Sequence, residues 1–498
     1  MVAAILLAFE TVFDPLVLGV VMASALFGLF VGSIPGLSAT MATALLVPVT
    51  FFLPPIPAVA CMVTATAMAI FAGDVPGALL RMPGTPASAA YCHDAYLMTR
   101  KGQAETVLGA GLVYSVLGGL FGTIVLAGAA PWLANAALQF SSFEYFWLVM
   151  MGLTSAVFVS PGDPIRGLIS LMFGLLIATV GFENPAAYPR FTFGSTELMS
   201  GVQLIPVMIG MFAVSEVARY AVSTDVVIET PKQDIGGIFK GQGTLLRTYP
   251  WPALRGSIVG TAIGALPGAG ADIAAWISYA ISKRFSKSPE KFGTGYIEGI
   301  IESGAANNAA LAGAWIPALV FGIPGDSITA IVIGVLYLKG LNPGPAIFIE
   351  HPENIYAVFI IFFLANLLML PLGWSLIKVA KNVLHVPRSI LMPVILLFCV
   401  VGAFAINNSV FDIGVMLAFG LIAFVMEAND VPIAPTILGM VLGGMLEQNF
   451  VTSMIKADGN VAAFFERPIA AALGLATIAI WLTPVVMALW RRRAAAAA

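Results

Sequence analysis

The sequence predicts an all-α polytopic membrane protein made of two inverted-topology repeats with broken or re-entrant helix hairpins. Three observations lead there. The composition is apolar and poor in charge, long apolar runs are interrupted at Pro and Gly in matching places, and equivalent loops carry opposite loads of Lys and Arg.

Of the 498 residues, 59% are hydrophobic and 10% are charged, against roughly 25% charged in ordinary soluble domains. The net charge of −3 offers no basic surface for nucleic acid. Cys61, Cys92 and Cys399 lie in apolar or near-apolar runs and form neither a metal-ligand spacing nor a disulfide framework, so they read as packing residues. The first Lys or Arg is Arg81, so the positively charged start of a cleavable signal peptide is not expected. No Gly-x-Ser-x-Gly elbow, His-Glu-x-x-His pair or P-loop occurs, which argues against a hydrolase and against transport driven by ATP bound to this chain. An enzyme is not expected, and neither is a cofactor beyond a coupling ion, Na⁺ or H⁺, whose ligands this pattern does not name.

A bilayer core of ~30 Å needs about 20 apolar residues in a helix. Such spans are predicted at 106–131, 143–160, 166–182, 202–221, 353–377, 388–406, 411–428, 431–450 and 467–490. The interrupted runs are 16–34 with 36–53, 57–72 with 75–98, 253–266 with 268–283, and 304–322 with 326–338. A Pro or Gly break frees backbone amides and carbonyls, each costing several kcal/mol in hydrocarbon, so the breaks must line a protein-buried or wet cavity. Secondary transporters build midplane substrate sites from broken helices of this kind.

The interrupted runs recur in order. Gly28, Gly32, Pro35 and Gly36 match Gly260, Gly264, Pro267 and Gly268; Pro83-Gly84 matches Pro324-Gly325; Pro206 and Gly210 match Pro435 and Gly439. Duplication explains this better than chance recurrence of Pro-Gly in a Gly-rich chain. Lys and Arg accumulate on the cytoplasmic side, and residues 51–57 have none whereas the equivalent loop holds Lys283, Arg284, Lys287 and Lys291. Arg100-Lys101 then stands against Lys339 near Glu350 and Glu353, and the base-free 131–141 against Lys378, Lys381 and Arg388. Opposite orientation of the two copies accounts for all three contrasts. The expected organisation is a membrane repeat at 1–221, a polar cytoplasmic linker at 222–252, a second repeat at 253–450, and at 451–498 a loop, a final transmembrane helix and a basic tail. Arg491-Arg492-Arg493 place the C-terminus in the cytoplasm.

The tips bearing Gly36, Ser38 and Thr40, and Gly268, Gly270 and Asp272, each open a new helical segment, whose unpaired amides and partial positive charge suit a carboxylate. Ser38 and Thr40 either touch a ligand or cap the helix. Gly84, Thr85 and Ser88, and Gly325, Asp326 and Ser327, repeat the geometry, so the tips are candidates for one substrate cavity; tight packing of small residues is the plain alternative. Asn307 and Asn308 sit about 100° apart on a helix, so at most one faces a ligand, and the other is a candidate to bridge helices. Intramembrane charges point to function: Arg81 is a candidate for a substrate carboxylate or for an ion pair with Asp74, and Asp74, Asp272 and Asp326 are candidates for ion coupling, with helix capping as the other reading of the last two. His93 reads as a polar interfacial residue, with Asp94 beside it.

These motifs together resemble the large membrane subunit of the tripartite tricarboxylate transporters. The resemblance runs from Gly32-Ser-Ile-Pro-Gly-Leu-Ser-Ala-Thr40 and Pro83-Gly-Thr-Pro-Ala-Ser-Ala89 through Gly264-Ala-Leu-Pro-Gly-Ala-Gly-Ala271, Ala306-Asn-Asn-Ala-Ala310, Gly322-Ile-Pro-Gly325 and Gly340-Leu-Asn-Pro-Gly-Pro345. It departs at Asp272 and Asp326, where small or hydroxyl residues are usual. It implies a multi-pass bacterial inner-membrane secondary transporter that imports a small di- or tricarboxylate with an ion gradient. The implied partners are a periplasmic solute-binding protein and a small membrane subunit, and the implied mechanism is elevator-like alternating access. A membrane scaffold or receptor subunit that has lost transport is the alternative, and the matched helix breaks in both halves speak for transport.

Overall fold

The computed structural model describes residues 2–159, 163–182, 188–222, 237–383 and 388–497, and these are helical apart from loops and one antiparallel bridge between Gly181 and Arg190. Among the described residues seven helical stretches are long and apolar enough to cross a membrane: Pro15–Ser33, Pro55–Leu80, Ala104–Ala137, Leu204–Val222, Pro352–Ala380, Ser389–Asn407 and Val410–Ala428.

In chain order, α1 (Val2–Val12) adds an N-terminal helix to the expected set, and α2 (Pro15–Ser33) breaks before α3 (Ala39–Phe51). Helix α4 (Pro55–Ala72) continues through Gly73 into α5 (Asp74–Leu80), and α6 (Ala89–Arg100) restarts after residues 81–88. Then come α7 (Ala104–Ala137), α8 (Ser142–Val159), α9 (Pro164–Ala178), and α10 (Leu204–Ile209), joined through one π-turn at Gly210–Val214 to α11 (Ser215–Val222). Of the expected linker, residues 223–236 lie outside the described residues, and its far end carries α12 (Gln242–Thr248). The second half repeats the broken pattern in α13 (Pro250–Gly264) with α14 (Gly270–Phe285), and α15 (Ile297–Phe321) with α16 (Ser327–Leu338). It ends in α17 (Ile347–Glu350), α18 (Pro352–Val383), α19 (Arg388–Asn407), α20 (Val410–Ala428), α21 (Ala434–Lys456) and α22 (Pro468–Ala497).

The break expected between 72 and 75 is absent, α4 and α5 forming one stretch Pro55–Leu80, and two further boundaries differ from expectation for identifiable reasons. The run 75–98 is not one helix, because Arg81 takes a left-handed conformation and closes α5. Helix α15 begins at Ile297 rather than at 304. Hydropathy stops at Glu302, but its carboxylate is buried and bonded by the Arg255 guanidinium at 2.7 and 2.5 Å, while Ser286 donates to Glu298 at 2.6 Å. A satisfied carboxylate does not interrupt a helix.

The residues gather in two compact units, Met1–Ala134 with Gln203–Asn429 and Asn135–Val202 with Asp430–Ala498, so each draws on both halves of the chain. In the second unit, α9 meets α21 through Ser170 and Thr436, whose hydroxyls lie 2.9 Å apart, and Trp147 donates its indole N–H to the Phe464 carbonyl at 2.9 Å. Its buried Glu144 accepts from Arg467 at 2.5 Å and from the Ser141 hydroxyl at 2.6 Å.

In the first unit the broken helices are joined by glycines that leave no room for a side chain. A Cβ at Gly28 or Gly32 would fall 2.2 or 2.4 Å from the carbonyl oxygens of Ala65 and Ala69; at Gly260 or Gly264 it would fall 2.3 or 2.2 Å from those of Ala306 and Ala310. The second set follows the first at the offsets that align Pro35 with Pro267 and Pro83 with Pro324. Without a hydrophobic drive between helices in lipid, such close backbone contact supplies the packing energy. Gly264→Ala must therefore push α13 from α15 and is expected to cost about 1–3 kcal/mol. Gly19→Ala, with nothing within 4 Å, should be neutral or stabilising by up to ~1 kcal/mol from helix propensity. Thermal melting in detergent compares them; equal melting temperatures would dismiss the glycine contacts as a determinant of the fold.

Candidate functional site

The α2–α3 break turns on Gly36 at φ 88°, and its counterpart before α14 turns on Gly268 at φ 84°, both left-handed values that favour glycine. Ser38 is the N-cap of α3, its Oγ accepting from the Met41 amide at 3.1 Å, which leaves its own proton free to donate elsewhere. Thr40 sits in the first turn of the same helix. At the break between α5 and α6, Thr85 and Ser88 are buried and bonded to one another: each amide donates to the other's hydroxyl at 3.2 Å, and Ser88 Oγ donates to the Thr85 carbonyl at 2.9 Å. Both hydroxyls thus hold the turn. Gly84 is wedged in, since a Cβ there would lie 2.6 Å from Gly73 Cα and 2.9 Å from the Gly32 carbonyl. Gly325 repeats this against Ala314 and the Gly264 carbonyl, at 2.8 Å from each.

Asp326 is the N-cap of α16 in a capping box. Its Oδ1 accepts from the Thr329 amide and hydroxyl, both at 2.7 Å, while Thr329 Oγ1 accepts from the Asp326 amide at 2.9 Å. Ser327 opens that helix. Asp272 lies in the first turn of α14 with its side chain exposed, and its Oδ1 accepts from the Ala87 amide at 3.2 Å. The Trp276 indole donates to the Pro86 carbonyl at 3.2 Å, and a Cβ on Gly270 would lie 2.5 Å from Asp326 Cβ. The breaks therefore touch in series: the α2 end through Gly32 and Gly84, residues 86–87 through Asp272 and Trp276, and Gly270 through Asp326. New helices α6, α14 and α16 begin there, so the partial positive charge of their N-termini collects at one junction, with Asp272 and Asp326 within electrostatic reach of each other. Such a junction offers amides to an anion and carboxylates to a cation.

The remaining candidates group elsewhere in this unit. Asp74 is buried at 8% exposure and accepts the Tyr91 phenol proton at Oδ1, 2.5 Å away. Asn307, also buried, places Nδ2 3.5 Å from that phenol, while its Oδ1 and both polar atoms of buried Asn308 have no hydrogen-bond partner among the described residues. The Arg81–Asp74 ion pair is not among the ion pairs of the described residues: Arg81 is exposed, and Tyr91 takes the place of the cation. His93 is exposed, whereas its neighbour Asp94 is a buried hub accepting from the Tyr279 phenol at 2.5 Å and the amides of Gly293 at 3.1 Å and Gly295 at 2.7 Å. Neither Asp94 nor Tyr91 stands out by spacing; the partners lie far away in sequence.

The profile described as the tripartite tricarboxylate transporter TctA family matches residues 18–438. An uncharacterized 52.8 kDa protein in the TAR-I ttuC' 3'region of Agrobacterium vitis is 33% identical over 483 residues, covering 96% of each chain. An uncharacterized protein in the TAR-II ttuC' 3'region of the same organism is 35% identical over 230 residues, 46% of this chain and 95% of that one. No solved structure matches the chain.

Arg81 has φ 59° and ψ 26°, and Gly322, which stands as far before Pro324 as Arg81 does before Pro83, has φ 68° and ψ 20°. An L-residue held there costs about 1–2 kcal/mol, a strain that the exposed guanidinium does not offset through any ion pair among the described residues. Arg81→Gly is expected to leave stability unchanged or raise it by up to ~1 kcal/mol, since glycine's unfolded-state entropy offsets part of the relief. A fall in melting temperature would mean that the side chain holds the tip.

Proposed function

Since the chain belongs to the tripartite tricarboxylate transporter TctA family, and is thus a multi-pass membrane subunit of a tricarboxylate transport system rather than an enzyme, we propose that it imports a small carboxylate through the junction of broken helices. The convergence of the breaks at Gly84, Asp272, Gly270 and Asp326 carries this reading. Helix N-termini facing one place favour an anion, and discontinuous helices are where secondary transporters bind substrate. Gly36, Ser38, Thr40, Gly84, Gly268, Gly270, Gly325 and Ser327 form the proposed carboxylate site, with Thr85 and Ser88 shaping it and Arg81 at its edge. Of Asn307 and Asn308 on α15, which stand about 100° apart, at most one contributes its amide.

The two copies are proposed to have inverted topology, the repeated glycine contacts supporting duplication and the Lys and Arg contrast supporting inversion. Uptake is driven by an ion gradient, with elevator-like movement, and the substrate arrives from a periplasmic binding protein; a small membrane subunit completes the system. The protein lies in the bacterial inner membrane with its C-terminus in the cytoplasm. Asp272 and Asp326 are proposed to take part in coupling. Asp326→Asn preserves a capping side chain, so it is expected to fold normally and to weaken the ion dependence of uptake; unaltered ion dependence would reduce Asp326 to a cap.

Topology is tested by thiol labelling, for which Cys61, Cys92 and Cys399 are buried and give a silent background. Lys287→Cys should label only from the cytoplasm, Pro54→Cys and Asn342→Cys only from outside, all three positions being exposed. Labelling of positions 54 and 287 from the same side would reject inversion. In the same membranes Gly36→Val and Gly268→Val should each lower uptake more than tenfold with the protein still inserted, because a β-branched residue resists positive φ; full uptake in either would remove that glycine from the site.

A further inference from the structure

Asp74 begins α5 and Tyr91 lies on α6, so their 2.5 Å hydrogen bond joins the two helices that flank residues 81–88. The second carboxyl oxygen, Oδ2, has no hydrogen-bond partner among the described residues. Asp74 borders a cavity of about 10 Å³ lined by Phe71, Val75, Tyr91, Leu108, Gly111 and Ile300 among others, space for roughly one water molecule. A Cβ at Gly111 would stand 3.9 Å from Oδ2, so the glycine leaves that side open.

Among the described residues, the groups facing Asp74 supply no compensating charge. From α6 come Tyr91 and Cys92, and the Cys92 thiol donates to the Gly77 carbonyl at 3.4 Å. On its own helix Arg81 stands at the exposed end. Phe71 from α4, Leu108 and Gly111 from α7, and Ile300 and Asn307 from α15 do not titrate. A hard cation calls for about six oxygen ligands, and this lining has one carboxyl and one phenol. A lone carboxylate in such surroundings is costly, and a proton on Oδ2 removes the charge while giving the oxygen a donor for a water in the cavity.

We propose that Asp74 is a proton-binding site, a neutral carboxylic acid held between Tyr91 and one water, which adds a proton site to the coupling proposed above for Asp272 and Asp326. The site deepens that reading and rests on it. The proton resides on Oδ2, the oxygen that Tyr91 does not bond, while Tyr91 keeps its own proton, donated to Oδ1 throughout. Gly73, the residue before Asp74, packs against Gly84 and Thr85, so loss of the proton places a charge close to a tip of the substrate junction.

Infrared difference spectroscopy of the full-length protein in lipid nanodiscs, titrated with pH, reads protonated carboxyls by their carbonyl stretch and needs no substrate. At neutral pH one carboxylic-acid band is expected in the wild type and is lost in Asp74→Asn. Tyr91→Phe keeps the acid and removes a donor, so the band should persist and move to higher frequency. Replacing choline by sodium should leave it unchanged. A spectrum in which Asp74→Asn removes a carboxylate band instead, or in which sodium abolishes the acid band, would overturn the proposal. If Asp74→Asn does not fold, Tyr91→Phe decides, and an unshifted band overturns it. Failure of uptake in reconstituted membranes, by contrast, would count against the transport reading and leave the band where it is.

Discussion

A helix broken inside a membrane exposes amides and carbonyls that hydrocarbon cannot bond, and the arrangement of the first unit follows from the need to enclose them. The breaks stay because other helices cover them at the shortest possible range. Gly28 and Gly32 bring α2 onto the α4 backbone, and Gly260 and Gly264 bring α13 onto α15. Gly84 and Gly325 then seat the tips against the carbonyls of Gly32 and Gly264. A methyl group at these points would open the contact that shields the break. Small residues thus serve two ends at once, close packing in lipid and protection of exposed backbone.

Upon this frame the acids act as links between breaks. Asp326 closes a capping box, and the Asp272 carboxylate reaches across to the Ala87 amide. A carboxylate at a helix N-terminus is favoured by the unpaired amides there, which explains how two acids stand at a junction otherwise suited to anions. Asp94 does similar work nearer the end of α6, gathering the loop amides of Gly293 and Gly295. Arg81 and Gly322 close their helices in the same left-handed conformation, the one with a charged residue under strain and the other with glycine.

Membrane character, the positions of the breaks and their ordered recurrence all follow from residues read along the chain, because apolar length, Pro-Gly chemistry and charge bias are local properties. The capping roles of Ser38 and Asp326 were open from sequence for the same reason, each hydroxyl or carboxylate standing just before a new helix. What Asp74 bonds to was not open in this way. Its spacing to Arg81 on one helix leaves an ion pair open beside a substrate carboxylate as the partner of Arg81, yet Tyr91 arrives from the next helix once the turn at 81–88 folds back, and Arg81 is turned outward. Likewise Glu302 ends an apolar run on paper and lies inside a buried helix in fact, because Arg255 reaches it from α13. Pairings between polar groups far apart in sequence belong to the packing of helices, and hydropathy along one strand of chain carries no record of them.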